Sequence, residues 1–94
     1  MWILESTDGT FRLKPGATKT VGRAPRADFI LDVALVSRLH CQLTAGDDTL
    51  EVLDLKSTNG TYVNDTRIEK AQLKTGDRLR IGRVELTVDK QTNG

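Results

Sequence analysis

Apolar and polar side chains alternate with a period of two along most of this chain. Leu79 and Ile81 alternate with arginines, and Val84, Leu86 and Val88 alternate with polar residues. No stretch places apolar residues at helical spacing over several turns, and glycine or proline interrupts the chain at short intervals. Strict alternation is typical of half-buried strands, so the pattern predicts strands throughout and hardly any helix.

We predict about ten short strands separated by turn residues, which is typical of an antiparallel β-sandwich. The predicted strands lie at 2–5, 10–13, 19–21, 29–31, 41–43, 50–55, 61–63, 66–68, 78–81 and 84–88. Gly82-Arg83 separates the last two strands and predicts a two-residue type II′ turn, because glycine comes first. Leu53 and Leu55 fall out of step with the alternation before them, which predicts a β-bulge near Val52-Leu53.

Composition narrows the range of partners. With 94 residues, 37% apolar and 29% charged content and a net charge of +1, the chain is typical of one globular domain without bulk attraction to nucleic acid or membrane. Cys41 is the single cysteine and His40 the single histidine, so we expect neither a disulfide nor a zinc site, and no cofactor. The first apolar run, 2–4, is too short for a signal peptide or a membrane span. We therefore expect an intracellular protein, cytoplasmic or nuclear.

Three polar clusters fall in predicted turns rather than in strands. They are Gly22-Arg23, Ser37-Arg38-Leu39-His40 and Ser57-Thr58-Asn59-Gly60. Alternate turns of a sandwich project from the same end, so all three clusters can meet on one rim. The clusters offer a guanidinium fork, hydroxyls, an amide and backbone N–H groups, which are the donors that suit a phosphate group.

Each cluster also has a plain structural interpretation. Gly22-Arg23 can be a turn with a solvated arginine, and Asn59-Gly60 is a strong hairpin signal that needs no ligand. For His40 we favour a structural role as a half-buried side chain. A hydrolase built on Ser37 and His40 is disfavoured because no Gly-x-Ser-x-Gly motif is present, and the P-loop motif of nucleotide-binding proteins is also absent.

A basic stripe of Arg78, Arg80 and Arg83 raises the question of nucleic-acid binding. The chain has only two Phe, one Tyr and one Trp to stack on bases, so a solvated strand face is the better interpretation.

Taken together in this order and spacing, the three clusters closely resemble the forkhead-associated (FHA) domain. Asn64, the segment Leu73-Lys74-Thr75-Gly76-Asp77 and Ile81-Gly82 also match that family, so the resemblance covers essentially the whole chain. It implies an FHA/SMAD-like β-sandwich of about eleven strands that binds phosphothreonine peptides through loops at one end.

The resemblance also implies roles for individual residues. The phosphothreonine-binding residues would be Arg23 and Ser37 on the phosphate, Arg38 beside it, Thr58 on the phosphate or the threonine methyl group, and Asn59 on the peptide backbone. Gly22 and Gly60 would set loop conformation, and His40 and Asn64 would brace the loops. Leu35 would face the peptide residue three positions after the phosphothreonine (the +3 residue).

The resemblance assigns residues 1–90 to the FHA domain and leaves 91–94 as a frayed tail or the start of a linker. It implies a phosphopeptide-binding module for kinase-dependent signalling, not an enzyme, that is monomeric as an isolated domain. The alternative is a phospho-independent interaction scaffold of the same fold, which the presence of Arg23, Ser37 and Asn59 disfavours. The start of the chain also resembles nibrin-type DNA-damage proteins, which would imply a nuclear location.

Overall fold

Eleven strands form a β-sandwich in the computed structural model, which describes residues 1–7 and 9–91. The predicted all-β sandwich fold is thereby confirmed. The strands are β1 (Trp2–Ser6), β2 (Gly9–Leu13), β3 (Thr18–Gly22), β4 (Phe29–Ile30), β5 (Cys41–Ala45), β6 (Leu50–Asp54), β7 (Thr61–Val63), β8 (Thr66–Ile68), β9 (Lys70–Leu73), β10 (Arg78–Ile81) and β11 (Val84–Lys90).

The strands divide into a six-stranded sheet in the order β2-β1-β11-β10-β7-β8 and a five-stranded sheet in the order β4-β3-β5-β6-β9. All of these pairs are antiparallel except β3 with β4, which runs parallel over two residue pairs. The core lies between the sheets because alternate side chains of each strand point inward. Its largest fully buried side chains include Trp2, Leu4, Leu43, Leu79 and Leu86.

Two features of the five-stranded sheet differ from the prediction. The sequence pattern did not predict β9, in which only Ala71 and Leu73 face inward. The predicted bulge near Val52-Leu53 is wrong, because β6 pairs residue for residue with both β5 and β9. Leu53 is out of step because it points away from the core and lines a surface recess, where it stays half-buried.

Two tight turns lie at opposite ends of the six-stranded sheet. Gly82 has φ 60° and joins Ile81 to its cross-strand partner Val84, which confirms the two-residue turn. Asn64 and Asp65 both have positive φ, as a type I′ turn between β7 and β8 requires. Asn59-Gly60 is not a hairpin turn, because β6 and β7 belong to different sheets and the segment crosses between them.

The first and last strands of the chain meet at one end of the sandwich. Trp2 pairs with Lys90, and the backbones of Met1 and Gln91 exchange hydrogen bonds of 3.0 and 2.8 Å. The predicted tail at 91–94 falls, beyond Gln91, outside the described residues. Nowhere in the described ranges is there a helix of the length and apolar character needed to cross a bilayer.

Candidate functional site

The three polar clusters meet at the opposite end of the sandwich, where β3 and β6 end and β5 and β7 begin. The Arg23 N–H donates to the Ser37 carbonyl at 2.9 Å, and the Thr58 N–H donates to Ser37 Oγ at 3.1 Å. Asn59 Nδ2 donates to the Leu35 carbonyl at 3.1 Å. Ser37 is thus the junction between the other two clusters, and the three segments form one rim.

A shallow cavity of 240 Å³ opens on this rim. Its lining consists of Arg23, Leu35, Val36, Ser37, Thr58 and Asn59. Because Ser37 Oγ already accepts the Thr58 amide, its hydroxyl proton remains available to a ligand. The exposed Arg23 adds a guanidinium, so the cavity combines charged and neutral donors around one point.

Arg38 occupies a different position from the other predicted phosphate contacts. It lines a neighbouring depression of 370 Å³ together with Arg23, Ala24, Pro25 and Asp32. Arg23 belongs to both hollows and lies between them. Arg38 therefore lines the second hollow and not the one that contains Ser37, Thr58 and Asn59.

The buried ring of His40 connects the second cluster, to which it belongs, with the third cluster. The Ser37 N–H donates to His40 Nδ1 at 3.1 Å, so the ring proton lies on Nε2 and is donated to the Gly60 carbonyl at 2.8 Å. The side chain is completely buried. Burial lowers the pKa of His40 below its usual value, against the opposing influence of the Gly60 carbonyl and the Asp54 carboxylate. The ring is accordingly a neutral brace between the two loops.

Asp54 organises the third cluster, a role that sequence analysis did not assign. Its Oδ1 accepts the hydroxyls of Ser57 at 2.5 Å and Thr61 at 2.7 Å, and its Oδ2 accepts the Ser57 N–H at 3.1 Å. Burial alone would raise the pKa of Asp54, but the hydrogen bonds from Ser57 and Thr61 outweigh it and lower the pKa. Ser57 Oγ in turn accepts the Gly60 N–H at 3.1 Å, which closes the turn. An Asp at the end of a strand is the available sequence signal, because its carboxylate commonly accepts N–H groups of the residues that follow it in a turn.

Two glycines of the rim are constrained, Gly22 by lack of space and Gly60 mainly by its positive φ. A Cβ on Gly22 would lie 2.1 Å from the Arg38 carbonyl oxygen, so only glycine lets β3 approach the second cluster this closely. Gly60 has φ 88°, and a Cβ there would lie 2.9 Å from Arg67 Nε.

Asn64 braces a different pair of loops from the ones that form the rim. Its amide donates to Asp77 Oδ1 at 3.1 Å and accepts the Arg78 N–H at 2.9 Å. It thereby fastens the β7–β8 turn to the β9–β10 loop.

A larger recess of 680 Å³ lies behind the third cluster. Its charged lining residues are Lys56, Arg67, Asp54 and Glu69, so positive and negative groups are equal in number. The recess therefore has no excess charge with which to attract an anion, in contrast to the rim.

A β-sandwich whose loop rim carries arginine side chains and several hydrogen-bond donors is typical of a module that binds anionic groups. Comparison with known proteins makes this specific: a family model described as "FHA domain" matches residues 19–82. That match spans more than half of the sequence, and the chain belongs to the FHA domain family.

Two bacterial relatives give the family a context. The chain is 42% identical over 69 residues to the oxoglutarate dehydrogenase inhibitor of Corynebacterium efficiens, covering 73% of this chain and 49% of that protein. The chain therefore spans about half the length of this relative. It is 39% identical over 69 residues to the glycogen accumulation regulator GarA of Mycolicibacterium smegmatis, covering 73% of this chain and 44% of that protein.

A solved structure links the fold to a phosphorylated ligand. EmbR of Mycobacterium tuberculosis, solved in complex with a low-affinity phosphopeptide, superimposes with a TM-score of 0.85 at 30% identity. The match covers 99% of this chain and 26% of that protein.

Proposed function

We propose that this domain binds phosphothreonine peptides at the rim and serves to assemble phosphorylated partners in signalling. The observation that carries the proposal is the cavity in which Arg23, Ser37, Thr58 and Asn59 meet, with donors on more than one side. A phosphate has three acceptor oxygens and between one and two negative charges at neutral pH, which fits such a set. Val36 adds an apolar surface to the cavity beside which the threonine methyl group fits.

Family membership supports the same function. FHA domains are among the protein modules that recognise phosphorylated motifs through basic side chains, and the EmbR complex contains a phosphopeptide. The two relatives named above are bacterial proteins, and the DNA-damage context stays a prediction, as does the monomeric state. An intracellular location agrees with these regulators and with the buried, unpaired Cys41.

A binding role also fits the chemistry of the histidine better than catalysis does. A Ser-His-Asp hydrolase needs a histidine nitrogen free to take the serine proton. In this chain His40 Nδ1 accepts a backbone N–H and Nε2 donates to a carbonyl, so neither nitrogen is available to Ser37 Oγ. The Asp54 carboxylate is directed at Ser57 and Thr61 instead.

Calorimetric titration with a diverse phosphothreonine peptide library tests the proposal. We expect micromolar dissociation constants, about 8 kcal/mol of binding free energy, because only a few loops contact the ligand. The same peptides with glutamate in place of phosphothreonine should bind poorly, because a planar carboxylate with a single charge cannot reach donors placed around a tetrahedral group. Absence of heat with every phosphopeptide, or equal affinity for phosphorylated and unphosphorylated peptides, would favour the phospho-independent scaffold.

A further inference from the structure

The outer face of the six-stranded sheet carries a row of three side chains directly behind the rim. Arg67 on β8 pairs across the sheet with Tyr62 on β7, and Tyr62 pairs with Arg80 on β10. The Arg80 guanidinium lies 4.2 Å from the centre of the Tyr62 ring, within range of a cation–π contact. We call these three residues the arginine–tyrosine row.

The row is joined to the rim through Gly60. The position that a Gly60 Cβ would occupy is 2.9 Å from Arg67 Nε and 3.1 Å from Tyr62 Cε1. The Arg67 guanidinium therefore lies against the backbone of the loop whose preceding residues, Thr58 and Asn59, line the ligand cavity. Rim and row form one continuous surface.

A further arginine borders the same surface on the Leu35 side. A Cβ on Gly82 would lie 2.8 Å from the Leu35 carbonyl oxygen, so the β10–β11 turn packs against the segment that carries Leu35. Arg83 follows in that turn and is exposed. A chain that leaves the cavity past Leu35 would run towards the turn that carries Arg83, and β10 with Arg80 leads into that same turn.

These arginines form no ion pair with the acidic residues that the structure describes. In those ranges no carboxylate oxygen lies within 4.0 Å of the charged nitrogens of Arg67, Arg80 or Arg83, whereas Arg78 pairs with both Asp65 and Glu85. The Arg80 Nε–H is buried without a hydrogen-bond partner in the described part of the chain. Glu85 is the cross-strand neighbour of Arg80, but it and Asp65 face four arginines, Arg67, Arg78, Arg80 and Arg83, so this surface keeps an excess of positive charge although the whole chain has a net charge of only +1.

We propose that the arginine–tyrosine row and Arg83 bind an acidic segment that adjoins the phosphothreonine in the same partner protein. This inference rests on the proposed function and adds a second, phosphate-independent determinant of partner choice. Three adjacent strands are about 10 Å wide, the length of about three extended residues. Arginine forks bind carboxylates well, and both acidic residues on this face, Asp65 and Glu85, are already paired with Arg78. The stacking that nucleic-acid bases require would have only Tyr62 in this row, and Tyr62 is already in contact with Arg80.

Fluorescence polarisation with matched peptides tests the proposal. The best phosphothreonine peptide from the library is extended by three aspartates at either its amino or its carboxyl end, and three serines serve as the uncharged control. We expect one acidic extension to tighten binding about fivefold at low salt, the effect of one to a few exposed ion pairs. The gain should shrink as the salt concentration rises.

Charge-removing variants locate the effect. The double variant Arg80→Gln/Arg83→Gln should lose the gain while binding the unextended peptide as the wild type does. Arg12→Gln is the matched control, because Arg12 is exposed on β2 at the far edge of the same sheet. Arg83→Gln alone changes only an exposed turn residue and tests the proposal even if the Arg80 substitution reduces stability.

Three outcomes overturn the inference. No gain from either acidic extension removes the second determinant, and a gain that persists in both Arg83→Gln and the double variant assigns it to another surface. A single-stranded oligonucleotide that binds the wild type but not the double variant, without any gain from aspartates, reassigns the row to nucleic acid. Failure of the unextended phosphopeptide to bind overturns the proposed function itself.

Discussion

Replacing His40 with alanine should cost this domain a large part of its stability while leaving the ligand contacts in place. The substitution deprives the Ser37 N–H and the Gly60 carbonyl of their partner. Each buried polar group left without a partner costs about 1–3 kcal/mol. The Gly60 contact is fully buried and the Ser37 contact partly so, and we therefore expect a loss of about 3 kcal/mol. The total free energy of unfolding of a domain of this size is about 5–15 kcal/mol, so this loss is a large part of it.

The same histidine should make stability depend on pH. The pKa of folded His40 lies below its ordinary value near 6.5, because burial disfavours the charged ring. The unfolded chain therefore binds more protons, and stability falls as the pH drops from about 6.5 towards the folded pKa. Since His40 is the only histidine, no other side chain titrates in this range at its ordinary pKa. Asp54 affects stability in a more acidic pH range. Its contribution to the free energy of unfolding is present above about pH 3.9 and is lost as the pH falls through its lower folded pKa.

Urea unfolding at pH 7 and pH 5 measures both effects. Gln42→Ala is a suitable control, because Gln42 is a half-buried side chain that lies on β5, the strand directly after His40, and points away from the core. Below its unfolding midpoint, His40→Ala should still bind phosphopeptide, since His40 does not line the cavity. Wild-type stability in the variant would refute the role of the brace. If His40→Ala loses as much stability between pH 7 and pH 5 as the wild type does, other groups cause the pH dependence.

Further substitutions separate ligand contacts from architecture. Arg23→Ala should abolish phosphopeptide binding in calorimetry without changing the melting temperature, because this exposed side chain loses a charge-assisted bond of about 1.5–3 kcal/mol; retained affinity would exclude it from the site. Gly22→Ala should lower the melting temperature, because its Cβ would collide with the Arg38 carbonyl; an unchanged temperature would mean that the backbone yields easily. With Leu35 intact, and 46% exposed, peptides with an aliphatic +3 residue should bind a few-fold more tightly than those with aspartate on a peptide array. Each methylene buried against Leu35 contributes ~0.8 kcal/mol, whereas a carboxylate there is desolvated without a partner, so Leu35→Arg should invert the order. An aspartate preference with Leu35 intact would instead assign the +3 position to Arg38 or another loop.

Much of the fold could be predicted from the sequence because inward and outward positions alternate so regularly. Prediction failed where burial departs from that rule. Leu53 is a leucine that points outward into a recess, so its place in the pattern suggested a bulge that does not exist. β9 has only Ala71 and Leu73 facing inward, too short a signal to distinguish it from a loop.

The candidate site was predictable to the extent that its residues lie in turns, where polar side chains need an explanation. Convergence of the three clusters follows from sandwich geometry, and Ser37 lies at their junction. Sequence alone does not distinguish the side of Arg23 on which Arg38 lies, because that depends on the path of a long loop. Asp54 was overlooked because it ends a strand and acts through local hydrogen bonds instead of facing the ligand.

The pairing of β1 with β11 has a mechanical consequence. Met1 and Gln91 are adjacent at the end of the sandwich opposite the rim, so a support attached to either of them leaves the ligand cavity unobstructed. Tension applied between these two residues would act perpendicular to the strands and break the backbone hydrogen bonds between β1 and β11 one after another, from Lys90 and Trp2 inward. Such peeling needs much less force than sliding two strands past each other. The domain would therefore begin to open under load at the end of the sandwich that lies farthest from the rim.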